Sequence, residues 1–444
     1  MQVYHLSHID LDGYGAQFVA CEFFKNIRFY NANYGKEVSA RLKQILRHIA
    51  GNSPLGLHSA DLVNLGRFAD FSPVSHPKFT KNHESQTENP SVVDSALIAQ
   101  NLGENQAESA ESRLDSADSA NSAKSLILIT DLNLTLSEAK FLQSEVDLLN
   151  AQGKKVQILL LDHHITGKDC AQNYSWYHLD ESICATKITF QYLSQNLAEI
   201  DTDSANNTEI LRDSVKMQRF AKFVDMIDSA DTWKEDGFAF EFGKVALGMI
   251  AQSKEFSRYM FECFDNEFRF ALLEKAQEFL LDSANEMREN AAVALDNNIF
   301  LFKKDILGGD RERQTMEQIL SHKQAELLSQ NREKYLVKCE GKKGIVTYGI
   351  GGISVVANLF LRQNADLDFF IDVGLRGNVS LRANGNCDVS EMAKEYFSGG
   401  GHKNAAGGRI EGFRETFLYE EAKAQVEAIF KNEVEDDDGE QWGL

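Results

Sequence analysis

The chain has 444 residues, 43% apolar and 25% charged, which is the balance of an ordinary folded protein with room for two or three domains. Asp and Glu outnumber Lys and Arg by 67 to 46, and a net charge of −21 argues against a broad groove for long nucleic-acid duplexes, because such grooves are built from clustered cations. No apolar run approaches the roughly 18 residues of a membrane span, and the N-terminus carries His5, His8, Asp10 and Asp12 in place of a signal peptide, so the expectation is a soluble cytoplasmic protein that makes no membrane contact. The 6 cysteines are scattered without a Cys-x-x-Cys pair and read as reduced, packed thiols.

Residues 2–7 read as a strand that leads into His8-Ile9-Asp10-Leu11-Asp12-Gly13. If that segment stays extended, its period of two puts His8, Asp10 and Asp12 on one side. Gly13 then permits a sharp exit into a helix over residues 14–26, with Phe18, Val19, Ala20, Phe23 and Phe24 inward. After an α/β-like stretch to about Phe71 the composition changes. All 4 prolines fall between residues 54 and 90, and residues 73–123 are rich in Ser, Asn, Gln, Ala and acid with recurring Asp-Ser-Ala triplets. So little apolar surface predicts a disordered surface insertion. Residues 201–213 look like a smaller version of it.

Order returns with an apolar run over residues 125–130 that ends on Asp131. Thr135-x-x-Glu138 has the form of a capping box, and Ala139, Leu142, Val146 and Leu149 follow at helical spacing. A second apolar run, residues 156–161, halts on Asp162-His163-His164. Strand, helix, strand at this spacing is a βαβ unit, which places both strand ends on one edge, so Asp131 and Asp162 are expected as neighbours in the crevice where open α/β sheets bind ligands. Helices are predicted over residues 181–199 and 214–230, the second leading to Asp228-Ser-Ala-Asp231-Thr-Trp233. Residues 255–295 read as connecting helices, and their aromatics (Phe256, Tyr259, Phe261, Phe264, Phe268, Phe270) fit a core better than base stacking. Beyond residue 298 the pattern predicts strands at 299–302, 335–339, 345–348, 368–373 and 379–382, and helices at 354–362, 389–396 and 414–431.

His8, Asp10, Asp12, Asp131, Asp162, His163, His164 and Asp231 can thus converge at one sheet edge. An oxygen-rich set with imidazoles suits manganese or magnesium better than zinc. Clustered carboxylates repel unless cations sit among them, and two divalent ions roughly 3.5–4 Å apart, sharing a carboxylate, are the arrangement that hydrolyses phosphate esters. In the second half, Gly399-Gly400-Gly401-His402-Lys403-Asn404-Ala405-Ala406-Gly407-Gly408 lets the backbone approach a phosphate, and its small residues could open a helix. With His402, Lys403 and a nearby Arg382, the run reads as an anion platform. His5, His48, His58, His178 and His322 have no ligand-spaced partners and read as surface or core histidines.

In this order the motifs His8-x-Asp10-x-Asp12-Gly13, a strand ending on Asp131, Asp162-His163-His164, Asp231-Thr232-Trp233 and Gly-Gly-Gly-His402-x-x-Ala-Ala-Gly resemble the DHH phosphoesterase family with its C-terminal DHHA1 domain. They look closest to its nanoRNase branch, the Bacillus-type oligoribonucleases. The resemblance implies an α/β fold: a parallel-sheet DHH domain over residues 1–250, a helical connector at 251–297, a smaller α/β DHHA1 domain at 298–432 and an acidic tail at 433–444, with the active site in the cleft between the domains. It implies manganese-dependent hydrolysis, with magnesium as the alternative ion, of short oligoribonucleotides to nucleoside 5′-monophosphates. Cyclic or linear dinucleotides and a nucleoside 3′,5′-bisphosphate are the alternative substrates, and a non-catalytic nucleotide-binding regulator is the rival class. Residue by residue, His8, Asp10 and Asp131 would hold one metal; Asp12, Asp131, His163 and Asp231 the other, with Asp131 bridging. Asp162 would orient an imidazole, His164 would give a proton to the leaving oxygen, and Arg382, Gly400, Gly401 and His402 would bind substrate phosphate. Asp231 is preferred to Asp228 at the fourth motif, and a homodimer is left open.

Overall fold

Apolar runs far apart in the chain come to lie side by side. In the computed structural model, which describes residues 1–51, 124–200, 213–284 and 290–436, strands β1 (Gln2–Ser7), β2 (Ile27–Asn31), β3 (Lys124–Thr130), β4 (Lys155–Asp162) and β5 (Tyr177–Leu179) form one parallel sheet in the order β2-β1-β3-β4-β5. Central strands of such a sheet are covered on both faces, which is why β3 and β4 read as continuous apolar runs without alternation. On one face α2 (Lys36–Ala50) and α3 (Leu136–Ala151) pack Leu42, Ile45, Leu142 and Val146 against Ile127, Ile129 and Leu160. On the other, α1 (Leu11–Phe23) and α5 (Ala185–Ile200), with the helix Ser214–Asp231, pack Val19, Phe23, Leu193 and Val224 against Leu128 and Leu161. The capping box at Thr135 and Glu138 is present as the sequence predicts.

The helices Phe240–Ala251, Glu262–Ala284, Ala291–Ile306 and Met316–Gln330 lead to a second sheet. Its strands β6 (Leu336–Cys339), β7 (Lys342–Tyr348), β8 (Phe369–Val373), β9 (Asn378–Ala383), β10 (Gly400–His402) and β11 (Ala405–Arg409) take the order β10-β11-β9-β8-β7-β6, and only β7 and β8 run parallel. The helices Ser354–Gln363, Val389–Phe397 and Tyr419–Asp436 accompany it.

Several expectations change. The extended pattern ends with β1. Helix α1 starts at Leu11, because the Asp10 side chain accepts a hydrogen bond from Gly13 N at 3.0 Å and caps it, leaving Asp12 in the first turn. The predicted strand at 299–302 lies inside the helix Ala291–Ile306, where Phe302 meets Phe279 at 6.2 Å instead of joining a ladder. The glycine run at 399–408 opens no helix. It forms the hairpin β10–β11, and a Cβ on Gly399 or Gly408 would overlap the backbone of Gly407 or Phe397, so the glycines serve close packing of chain on chain. Phe256, Phe261, Phe264 and Phe268 are buried, as a core reading requires. The insertion expected at 73–123, the polar patch at 201–212 and the end of the tail lie outside the described residues. No described helix is long and apolar enough to cross a membrane.

Candidate metal centre

Right-handed crossovers return every parallel strand in the same direction, so the polar residues that end these strands gather on one edge. β1 hands the chain to His8 and Asp10, β3 to Asp131, β4 to His163 and His164, and β2 to Asn33 and Tyr34. Asp131 leaves β3 in the left-handed region, φ 55°, with its amide bonded to Leu161 O at 3.2 Å. That conformation is uncommon for a residue with a side chain, and Asp tolerates it better than most.

The two oxygens of Asp131 face different partners. Oδ2 lies 3.7 Å from His8 Nδ1, which is itself 2.7 Å from Asp10 Oδ2. Oδ1 lies 3.4 Å from His163 Nε2, which is 3.7 Å from both Asp12 Oδ2 and Asp231 Oδ2. The candidate ligand atoms of His8, Asp10 and Asp131 fall within 4.8 Å of one another, and so do those of Asp12, His163 and Asp231. The structure therefore brings all six sequence-predicted ligands into two adjoining groups, with Asp131 between them.

The electrostatics of this cluster are unfavourable without cations. Asp131 Oδ2 and Asp231 Oδ2 are buried and have no hydrogen-bond partner. Burial, then the charges of Asp12, Asp10 and Asp231, push the Asp131 carboxyl well above the usual range. Burial, then Asp12, Asp10 and Asp228, raise Asp231 to about 9. Asp10 goes the other way, to about 2, because its bond to His8, the charge of His8 and the Gly13 amide outweigh its burial. Buried, unpartnered carboxylate oxygens beside two imidazoles fit divalent cations of the manganese and magnesium class.

Asp12 is held from behind. Its oxygens accept the amides of Ala185 and Thr186, both at 2.7 Å, at the first turn of α5, where a helix N-terminus favours negative charge. Asp228 is committed elsewhere: its carboxylate takes the Cys184 amide at 2.9 Å, Lys187 at 3.1 Å and Lys234 at 3.0 Å. Of the two acids near the fourth motif, Asp231 is the one beside His163.

Asp162 is buried, and both oxygens are engaged, Oδ1 by His164 Nδ1 at 2.7 Å and Oδ2 by the Tyr177 hydroxyl at 2.6 Å. The imidazole it orients is His164. Gly13 is required for space and not, as its sequence position suggested, for a sharp turn: its φ is unexceptional, and a Cβ there would overlap the His8 carbonyl group. His5 is a core histidine, bonded to Thr130 Oγ1 at 2.8 Å, and burial lowers its pKa to about 3.

Sequence reading missed the end of β2. The Tyr34 hydroxyl lies 2.9 Å from His164 Nε2, and its ring 4.7 Å from that of His8. Asn31 donates to His8 O at 3.1 Å, and Asn33 Oδ1 is 3.4 Å from His8 Nε2. The available signal was the one used for Asp131 and Asp162, a strand stopping on polar residues, but Ile27–Asn31 carries Arg28 and is too short to stand out.

On the second sheet, Arg382 donates to Ser354 Oγ at 2.9 Å and to Leu381 O at 2.8 Å, and it pairs in register with Ala405. Gly400, Gly401 and the exposed His402 lie on β10. Among the described residues, no hydrogen bond or ion pair joins this group to the metal-centre residues.

No family model matches the chain. A curated relative from Helicobacter pylori (strain ATCC 700392 / 26695), named 3′,5′-cyclic-nucleotide phosphodiesterase, is 42% identical over 432 residues, covering 97% of this chain and 99% of its own. A solved structure of an uncharacterized protein from Helicobacter pylori G27 is 41% identical over 97% of this chain and 99% of that one, with a TM-score of 0.73. RecJ from Thermus thermophilus, in complex with Mn2+, is 14% identical over 97% of this chain and 52% of that one, with a TM-score of 0.25, a fit that carries no argument.

Proposed function

Because this chain belongs to the DHH phosphoesterase family with its Helicobacter pylori relative, and is a phosphoric diester hydrolase, we propose that it cleaves a 3′,5′-phosphodiester in a small nucleotide, with a 3′,5′-cyclic nucleotide as first substrate and a nucleoside 5′-monophosphate as product. The relative's name supports that substrate. The observation that carries the chemistry is Asp131, set between two groups of ligand atoms with one oxygen toward each.

In this reading His8, Asp10 and Asp131 hold one divalent ion, and Asp12, Asp131, His163 and Asp231 the other, manganese in both places. When bound, such ions lower the pKa of water and offset charge on the phosphate. The protein's own residues do the rest. Asp12, fixed by the first amides of α5, and Asp131, fixed at its strand end, keep the ligand set in place without rearrangement. Water adds to phosphorus, the phosphorus–O3′ bond breaks, and the departing oxygen takes a proton from Nε2 of His164. Asp162 orients His164 by its bond to Nδ1; burial opposes protonation of that imidazole, but the Asp162 hydrogen bond and charge win and raise its pKa.

A second reading, hydrolysis of short oligoribonucleotides or dinucleotides, is favoured by Arg382, Gly400, Gly401 and His402. A cation and a glycine hairpin on the second sheet suit a substrate with a second phosphate. The wild-type protein and Asp131→Ala should be given manganese and a mixture of 3′,5′-cyclic AMP, a short-RNA ladder and a nucleoside 3′,5′-bisphosphate. The ratio of kcat/KM values ranks the substrates. Equal turnover by the mutant would remove the two-metal reading. Loss of RNA fragments ahead of the cyclic nucleotide would install the second one.

A further inference from the structure

The Asn31–Tyr34 segment touches the metal centre through His8 and His164, and it is held there by a residue from a different part of the chain. Arg258 donates to both oxygens of Glu37, one of them at 2.8 Å, to Asn31 O at 3.2 Å and to the Tyr259 hydroxyl at 2.7 Å. Glu37 is buried at the first turn of α2 and accepts the Asn33 amide at 3.0 Å. Arg258 and Glu37 therefore hold the backbone of the segment from two sides. Beyond it, Asn31 and Asn33 meet His8, and Tyr34 meets His164.

The same short stretch also reaches the second sheet. Ser257 Oγ donates to Tyr348 O at 3.0 Å, and the rings of Tyr259 and Tyr348 lie 5.5 Å apart. Tyr348 is the last residue of β7. Residues 257–259 thus touch both the loop beside the metal centre and the sheet that carries Arg382 and His402. A guanidinium suits this position because its planar fork satisfies a carboxylate with two parallel bonds and still has donors for a carbonyl and a hydroxyl; an ammonium cannot match that geometry.

We propose that Arg258 is a positioning residue for the hydrolytic site: acting through Glu37, it sets the Asn31–Tyr34 segment against His8 and His164 and links that setting to the second sheet. Its kinetic arm rests on the phosphodiesterase reading above. Its structural arm does not.

The test uses the full chain with Arg258→Gln, Arg258→Lys, Glu37→Gln and the double variant Arg258→Gln/Glu37→Gln. On metal-free protein, hydrogen–deuterium exchange should quicken about tenfold in peptides covering residues 29–38 and 345–352 in Arg258→Gln, and stay at wild-type rates in residues 126–161. With manganese and the best diester substrate, kcat should fall about tenfold while KM stays within about twofold, because misplacement of groups near the reacting bond costs turnover more than binding. The double variant should be no slower than Arg258→Gln alone, and Arg258→Lys should lie between wild type and Arg258→Gln. Wild-type exchange and kcat in a folded Arg258→Gln would overturn the proposal, and so would additive losses in the double variant. Should Arg258→Gln fail to fold, Arg258→Lys and Glu37→Gln read the same outcomes. A wild-type protein inert toward every diester would remove the functional reading, and the exchange measurement alone would then decide the positioning role.

Discussion

Asp162 grips His164, and not the adjacent His163, through a 2.7 Å bond to Nδ1. Tyr177 occupies the other oxygen of Asp162, so the carboxylate serves one imidazole and leaves His163 to the Asp12, Asp131 and Asp231 side. This separates the two histidines by task. For His164 the working form is protonated, so turnover falls as pH rises through its raised pKa. Replacing Asp162 by Asn removes the charge that raises this pKa and leaves the burial that lowers it. The alkaline limb of kcat should therefore move to lower pH, with a loss of about 10–100-fold at its plateau, while manganese affinity stays near wild type. A pH profile of kcat for both proteins at saturating metal checks this, and an unmoved limb would take His164 out of the acid role.

Asp228 and Asp231 sit three residues apart on the same helix and should fail differently. Asp228→Asn removes the acceptor for Cys184, Lys187 and Lys234, and should cost about 1–3 kcal/mol of stability with metal affinity little changed. Asp231→Asn removes a buried carboxylate raised by its like-charged neighbours, so the metal-free protein should gain thermal stability as the metal site is lost. Paired melting curves with and without manganese distinguish the two, and a reversal of the pattern would transfer the ligand role to Asp228.

The metal-free protein should carry a pH signature. Asp131 and Asp231 have pKa values raised above those of the unfolded chain, so the folded state binds more protons than the unfolded one across the interval between them. Their contribution to stability is full in acid and is lost as pH rises through the folded values, for Asp231 through about 9. Melting temperature without metal should accordingly fall on going from mildly acidic to alkaline pH, and manganese should restore it. Metal binding near neutrality should expel protons, seen in calorimetry as a heat that depends on the ionisation enthalpy of the buffer. A buffer-independent heat would show that the carboxylates are already ionised.

What was legible in the sequence follows from what is local. β3, α3 and β4 announce themselves because a doubly covered strand is a plain apolar run and a capping box is a fixed short pattern, and from them the shared edge of Asp131 and Asp162 follows by handedness alone. The convergence of His8, Asp10 and Asp12 was legible for a different reason than the one that operates: Asp10 caps α1, and Asp12 turns back onto the amides of α5, contacts between residues far apart in the chain. The strand expected at residues 299–302 illustrates the opposite error. Ile299, Phe300, Leu301 and Phe302 have strand-like composition, but tertiary packing among helices overrides it. Arg258 and Tyr34 gave no signal because a lone arginine and a lone tyrosine acquire meaning only from partners over a hundred residues away.

Gly13 and Gly248 both lie in helices, and they should respond oppositely to alanine. Replacing a helical glycine by alanine ordinarily gains roughly 0.5–1 kcal/mol, since the backbone has less freedom to lose on folding. At Gly248 the nearest foreign atom to a new Cβ is Gln252 Nε2 at 3.9 Å, so that gain should appear in full as a raised melting temperature. At Gly13 the new methyl would overlap the carbonyl group of His8, which is backbone and cannot rotate aside. The segment must move, and it carries the Nδ1 atom that meets Asp10 and Asp131. Gly13→Ala should therefore lose about 1–3 kcal/mol of stability despite its better helix propensity, and weaken manganese binding about tenfold or more. Melting curves and a manganese titration on the two variants side by side check both halves. A stabilised Gly13→Ala with wild-type metal affinity would show that the His8 backbone has room to retreat, and that its close approach to α1 is not what sets the ligand in place.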